Sequence, residues 1–85
     1  MYAIVVYDVH VNKVQRVNAF LKRYLFWVQN SVFEGEITES QLREIRKHLE
    51  NTIDSDESAV IFLLRSNKYL KRIQIGRSTE PERII

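Results

Sequence analysis

The sequence predicts an α+β fold in which two helices cover one face of a mostly antiparallel sheet. Three observations lead there. Strand-like and helix-like segments alternate along the chain. Each helical segment is apolar on one side only. Only two Gly and one Pro occur in 85 residues, which leaves little material for long connections. The whole length, residues 1–85, reads as a single domain.

The first element, YAIVVYDV from Tyr2 to Val9, is β-branched, aromatic and almost continuously apolar. It reads as a strand buried on both faces, or on one face and an interface. Asn12 with Gln15 three residues later suggests an N-cap. Val14, Val17, Leu21, Tyr24 and Leu25 then repeat at helical spacing. Phe26 to Ile37 is a second β region, either one long strand or two short ones turning near Asn30-Ser31, with Gly35 as an expected bulge or bend. Thr38 and Gln41 form a second capping pair, and Leu42, Ile45, Leu49 and Ile53 supply the apolar side of a second helix. Asp54 to Ser58 is a polar turn, and Ala59 to Arg65 is the candidate central strand. A turn at Ser66–Lys68 leads to Tyr69–Ile75, which alternates like a half-exposed strand. Together these elements fit a ferredoxin-like β-α-β-β-α-β plan with one strand to spare. A spare strand followed by the apolar end Ile84-Ile85 suits a homodimer with exchanged edges.

Composition excludes several classes. With no cysteine, disulfides and thiolate zinc sites are absent. The longest clean apolar run, Ala59 to Leu64, is too short to cross a bilayer, and no signal peptide precedes Tyr2. A cytoplasmic protein without membrane attachment is expected. The net charge of +2 is a weak pointer to a polyanion, but its distribution says more. Lys13, Arg16, Lys22 and Arg23 crowd the first helix, with Arg16 and Arg23 side by side on its flank and Phe20 next to them. Guanidinium groups so placed suit phosphate binding, against the ordinary alternative of a solvated helix face.

Asp8 closes the first strand, where a carboxylate can hold Mg²⁺ or Mn²⁺ or simply begin a turn. His10 stands in the following loop and can reach a ligand. His48 follows Glu44 by four residues, the spacing of an ordinary surface pair. Asp54 to Glu57 resembles a calcium loop only superficially, because the required Gly and bidentate Glu positions hold Ala59 and Arg65. No Gly-rich phosphate loop or nucleophile signature is present.

Three segments together resemble the CRISPR-associated Cas2 family: YAIVVYDV, ending in Tyr7-Asp8; LKRYLFWVQNSVFEGEIT, with its Val28-Gln29 and Ser31-Val32-Phe33-Glu34 block; and LEN…SDESAVIFLLRS. The resemblance implies a ferredoxin-like homodimer whose last strand joins the partner's sheet. It implies metal-dependent cleavage of RNA or DNA, with Asp8 of each protomer facing the other across the two-fold axis. Tyr7 and Phe33 are implied as neighbours of that site. It also implies a DNA-bridging role beside the CRISPR integrase in spacer acquisition, with Arg16 on the phosphate backbone. The departure is Trp27, where many members carry Arg. Two further readings stand beside the nuclease: a non-enzymatic bridging subunit in which Asp8 is structural, and a toxin-type ribonuclease on a similar fold.

Overall fold

The computed structural model of the protein describes residues 1–76. Strand β1 (Tyr2–Asp8) leads into helix α1 (Val11–Leu21). Strands β2 (Phe26–Gln29) and β3 (Val32–Glu36) follow, then helix α2 (Glu39–Thr52), strand β4 (Ser58–Leu64) and a 3-10 turn at Asn67–Tyr69. The strands form one antiparallel sheet in the order β2-β3-β1-β4, which is the ferredoxin-like arrangement.

Strand β1 is central, and its register sorts the side chains. Ala3, Val5 and Tyr7 stand opposite Gly35 and Phe33 of β3 and opposite Leu63, Ile61 and Ala59 of β4. Because successive side chains point to opposite faces, this set turns toward the helices. There it meets Val17, Leu21 and Leu25 from the α1 region and Ile45 and Leu49 from α2, all buried in one core. Ile4, Val6 and Asp8 point the other way. On that open face Val6, Val60, Phe62 and Phe26 are exposed, so the continuous apolarity of β1 reflects one core face and one uncovered apolar face.

The region from Phe26 to Ile37 is two strands, reversing at Asn30, whose φ of 42° is a left-handed conformation that Asn tolerates. The expected irregularity at Gly35 is not there. Gly35 pairs regularly with Ala3, and the register shift falls between Trp27 and Gln29. What requires glycine at position 35 is space, since a Cβ would lie 3.3 Å from Leu25 Cδ2.

The two helix starts differ. Thr38 forms the expected capping box, accepting the Gln41 N–H at 3.1 Å while Gln41 Oε1 accepts the Thr38 N–H at 3.0 Å. At α1 the expected Asn12 cap does not form. The helix begins two residues earlier, at Val11, with His10 at the cap position and no side-chain cap bond; the carboxylate of Glu57 accepts the His10 N–H at 2.7 Å.

The expected strand over Tyr69–Ile75 is absent from the single chain. After the 3-10 turn the backbone pairs with no strand of the sheet, and a side chain ties it to the domain: Arg72 donates to the carboxylate of Glu34. Glu34 also accepts the Tyr2 hydroxyl at 2.5 Å, which buries both Tyr2 and Glu34 on the otherwise open face. Arg83, Ile84 and Ile85 lie outside the described residues.

Candidate nucleic-acid and metal site

Asp8 is exposed at the end of β1, opposite Ser58 of β4, at the rim of the open face. Its neighbours by strand parity are Val6 and Val60. Tyr7 and Phe33 are elsewhere. They are 3% and 0% exposed, and their rings stack with centroids 6.4 Å apart on the helix side of the sheet. The Tyr7 hydroxyl donates to Asn18 Oδ1, and burial pushes the phenol's pKa up. Tyr7 and Phe33, expected as neighbours of the site, lie behind the strand that carries Asp8, because the two-residue period of the strand sends Tyr7 and Asp8 to opposite faces. Both aromatics form the packed floor behind the strand end.

The loop after Asp8 is fixed by a network that crosses from α1 to the polar turn. Lys13 Nζ lies 2.5 Å from Glu57 Oε1, 2.9 Å from Asp54 Oδ2 and 2.8 Å from the Thr52 carbonyl. Glu57 also accepts the N–H groups of His10 and Asp54. Its side chain is 2% exposed. Burial by itself raises the carboxyl pKa, but the His10 N–H, the Lys13 ammonium and the Asp54 N–H outweigh burial and hold it at about 2. The same carboxylates raise Lys13, Glu57 first. Lys13 is thus enclosed by three acceptors rather than displayed to a ligand, and His10 Nε2 is engaged by Asp56 at 2.9 Å. Glu57 is the important residue that sequence reasoning passed over. It stands in a run of acidic residues; its Asp54 partner is three positions away, but Lys13 and His10 are 44 and 47 positions away, so local spacing does not mark those contacts.

Arg16 and Arg23 remain exposed. The Arg23 guanidinium carbon lies 5.6 Å from the Phe20 ring centroid and 5.7 Å from that of Tyr24. The Lys22 ammonium lies 6.0 Å from the Trp27 ring, whose Nε1–H donates to the Asn30 carbonyl at 2.9 Å. The position where an Arg was anticipated is thus a half-buried indole that helps close the β2–β3 turn. His48 also departs from its expected pairing with Glu44: its ring stacks on Phe20, 3.7 Å between centroids and 7° from parallel.

Among the described residues no group of three or more His, Cys, Asp or Glu could hold a metal ion. A hard cation of the Mg²⁺ type takes one or two carboxylates and completes its shell with water and phosphate oxygens, and Asp8 is an exposed carboxylate at a strand end. Nor is any helix among the described residues long and apolar enough to cross a membrane.

These features define a ferredoxin-like domain with an uncovered apolar sheet face, an acidic strand end at its rim and arginines on the helix side. Comparison with known proteins places it further. Residues 1–73 match the family model described as CRISPR associated protein Cas2. A Thermococcus kodakarensis protein named CRISPR-associated endoribonuclease Cas2 is 55% identical over 95% of this chain and 94% of its own length. A protein of the same name from Methanothermobacter thermautotrophicus is 45% identical over 100% of this chain and 94% of its own. A crystal structure of Cas2 superposes with a TM-score of 0.88 at 45% identity, covering 100% of this chain and 97% of that one. The chain belongs to the Cas2 family of CRISPR-associated proteins.

Proposed function

We propose that two copies of this chain pack through their open sheet faces and cleave RNA in a metal-dependent reaction. We further propose that the same dimer binds nucleic-acid backbone and bridges DNA to the CRISPR integrase during spacer acquisition. The observation that carries this reading is the place of Asp8, exposed at the rim of an apolar face that the described residues do not cover. Face-to-face packing removes Val6, Val60, Phe62 and Phe26 from water and brings two strand-end carboxylates toward one axis. Relatives named endoribonucleases favour RNA as the cleaved strand, and family membership favours this reading over an antitoxin-controlled ribonuclease. The cytoplasm, where such nucleic acids are met, is the proposed location.

In this dimer the two Asp8 carboxylates would hold Mg²⁺ or Mn²⁺, which supplies Lewis-acid polarisation of a phosphoryl oxygen and a more acidic bound water. The chain's own residues do the rest. The Glu57–Lys13 network fixes the loop that follows Asp8, and Tyr7 and Phe33 hold the strand end from behind. Arg16 and Arg23 meet phosphates, while Lys13 is assigned to Glu57. Single-stranded RNA should be cut in Mg²⁺ and left intact in EDTA. Asp8→Asn should abolish cutting without changing the sedimentation coefficient. Undiminished cleavage by the Asn variant overturns Asp8 as the metal ligand.

A further inference from the structure

We propose that Arg16, Arg23 and the imidazole of His48 form one phosphodiester-binding site on the helix side of the domain, in which binding of the anion is coupled to proton uptake by His48. The inference rests on the proposed backbone binding by the two arginines and adds a third group and a linkage to it.

Arg16, Phe20 and Arg23 follow one another at four and three residues along one side of α1 and the turn that continues it, where the Arg23 N–H bonds the Phe20 carbonyl at 3.1 Å. The Arg23 guanidinium and the His48 imidazole both lie against Phe20, at 5.6 Å and 3.7 Å from its ring centroid. Phe20 therefore ties the arginine helix to α2. His48 Nε2 is buried and makes no hydrogen bond. A buried polar nitrogen without a partner is uncommon enough in a folded protein to need a reason. Here the ring sits within the field of two cations. Burial first, then Arg16 and Arg23, lower the His48 pKa, which favours the neutral ring. On α2 itself Glu44 lies one turn before it and Lys47 adjoins it. Thr52 bonds the His48 carbonyl at 2.7 Å, which fixes backbone rather than ring.

A phosphodiester held by the two guanidinium groups changes this balance in one direction. It offsets the cationic field that opposes protonation of the imidazole, which shares the Phe20 ring with the Arg23 guanidinium. Linkage then requires the reverse effect. If the anion raises the His48 pKa, protonated His48 raises affinity for the anion by the same factor. The dependence is confined to the interval between the free and bound pKa values.

An NMR pH titration of the His48 ring in the full chain, with and without a short duplex DNA, tests this directly. In the free chain the midpoint should lie below 6.5 and rise in Arg16→Ala and in Arg23→Ala, a result that involves no ligand. Duplex should raise the wild-type midpoint by about half a unit, equivalent to roughly threefold tighter binding well below both midpoints than well above them. His48→Gln should flatten that pH profile, and His48→Phe, which keeps the stack on Phe20, should flatten it too. If duplex binds but the His48 midpoint does not move and both variants keep the wild-type profile, the coupling is refuted while backbone binding stands. If no duplex binds at any pH, backbone binding itself fails; unchanged His48 midpoints in the two arginine variants would then also refute the shared site.

Discussion

The two faces of β1 are made from the same seven residues and serve different ends. Ala3, Val5 and Tyr7 turn to the helices and are at most 3% exposed. Ile4, Val6 and Asp8 turn away, onto a face where Val60 and Phe62 are 47% and 54% exposed. The side chains on the two faces are alike in kind, and what differs is who covers them. The helix face is packed against this chain's own α1 and α2, whereas the described residues leave the open face uncovered, with Asp8 exposed at its rim. A strand that must leave water on both faces loses the polar alternation of an ordinary half-exposed strand.

Substitutions can break that comparison, beginning with the largest effect. Phe33→Ala removes a fully buried ring from the helix face and should cost about 3–5 kcal/mol, much of the stability of a small domain. A urea midpoint that barely shifts would show that Phe33 is not core. On the open face, Phe62→Glu should leave the folded chain intact yet weaken self-association by roughly tenfold or more, read by sedimentation across a concentration series. Unfolding of this variant would mean that the face belongs to the single chain.

Acid pH probes the strut that holds the end of β1. The Glu57 carboxyl has a folded pKa of about 2 against an ordinary 4.5. A depressed acid contributes stability that is complete above the ordinary value and is lost as pH falls from about 4.5 toward 2. Glu57→Gln should therefore remove part of the acid limb of the stability profile, measured as urea midpoints against pH. An acid limb identical to that of the wild type would remove Glu57 from the account. The smallest effect concerns Gly35. An added methyl meets the Leu25 side chain at 3.3 Å, and Gly35→Ala should cost about 1 kcal/mol. A stabilised Ala variant would show that this part of the helix face is not tightly packed.

Much of this architecture was legible in the chain. Both helices, the strand preceding each and the Thr38–Gln41 box follow from periodicity and local spacing, since those signals act within a few residues. The reversal at Asn30-Ser31 was one of two readings, and the structure selects it. The split between Tyr7 and Asp8 was available too, because alternate residues of a strand cannot share a face; the motif Tyr-Asp drew them together when strand geometry sets them apart. Other features have no local signal. The Lys13–Glu57 pair depends on a turn more than 40 residues downstream. The Phe20–His48 stack depends on how two helices cross. The Tyr69–Ile75 segment alternates like a strand, but a strand needs a partner, and this segment pairs with neither edge of the chain's own sheet.

The central claim is that the open faces of two copies meet with their Asp8 residues toward the shared axis, and the helices outside. The natural chain has no cysteine, so Asp8→Cys and Arg43→Cys each place one spin label per copy, at the β1 end and on the exposed side of α2. Pulsed electron paramagnetic resonance on the two labelled dimers should return a shorter intermolecular distance for position 8 than for position 43. A shorter distance at position 43, or no intermolecular distance at either, would contradict it.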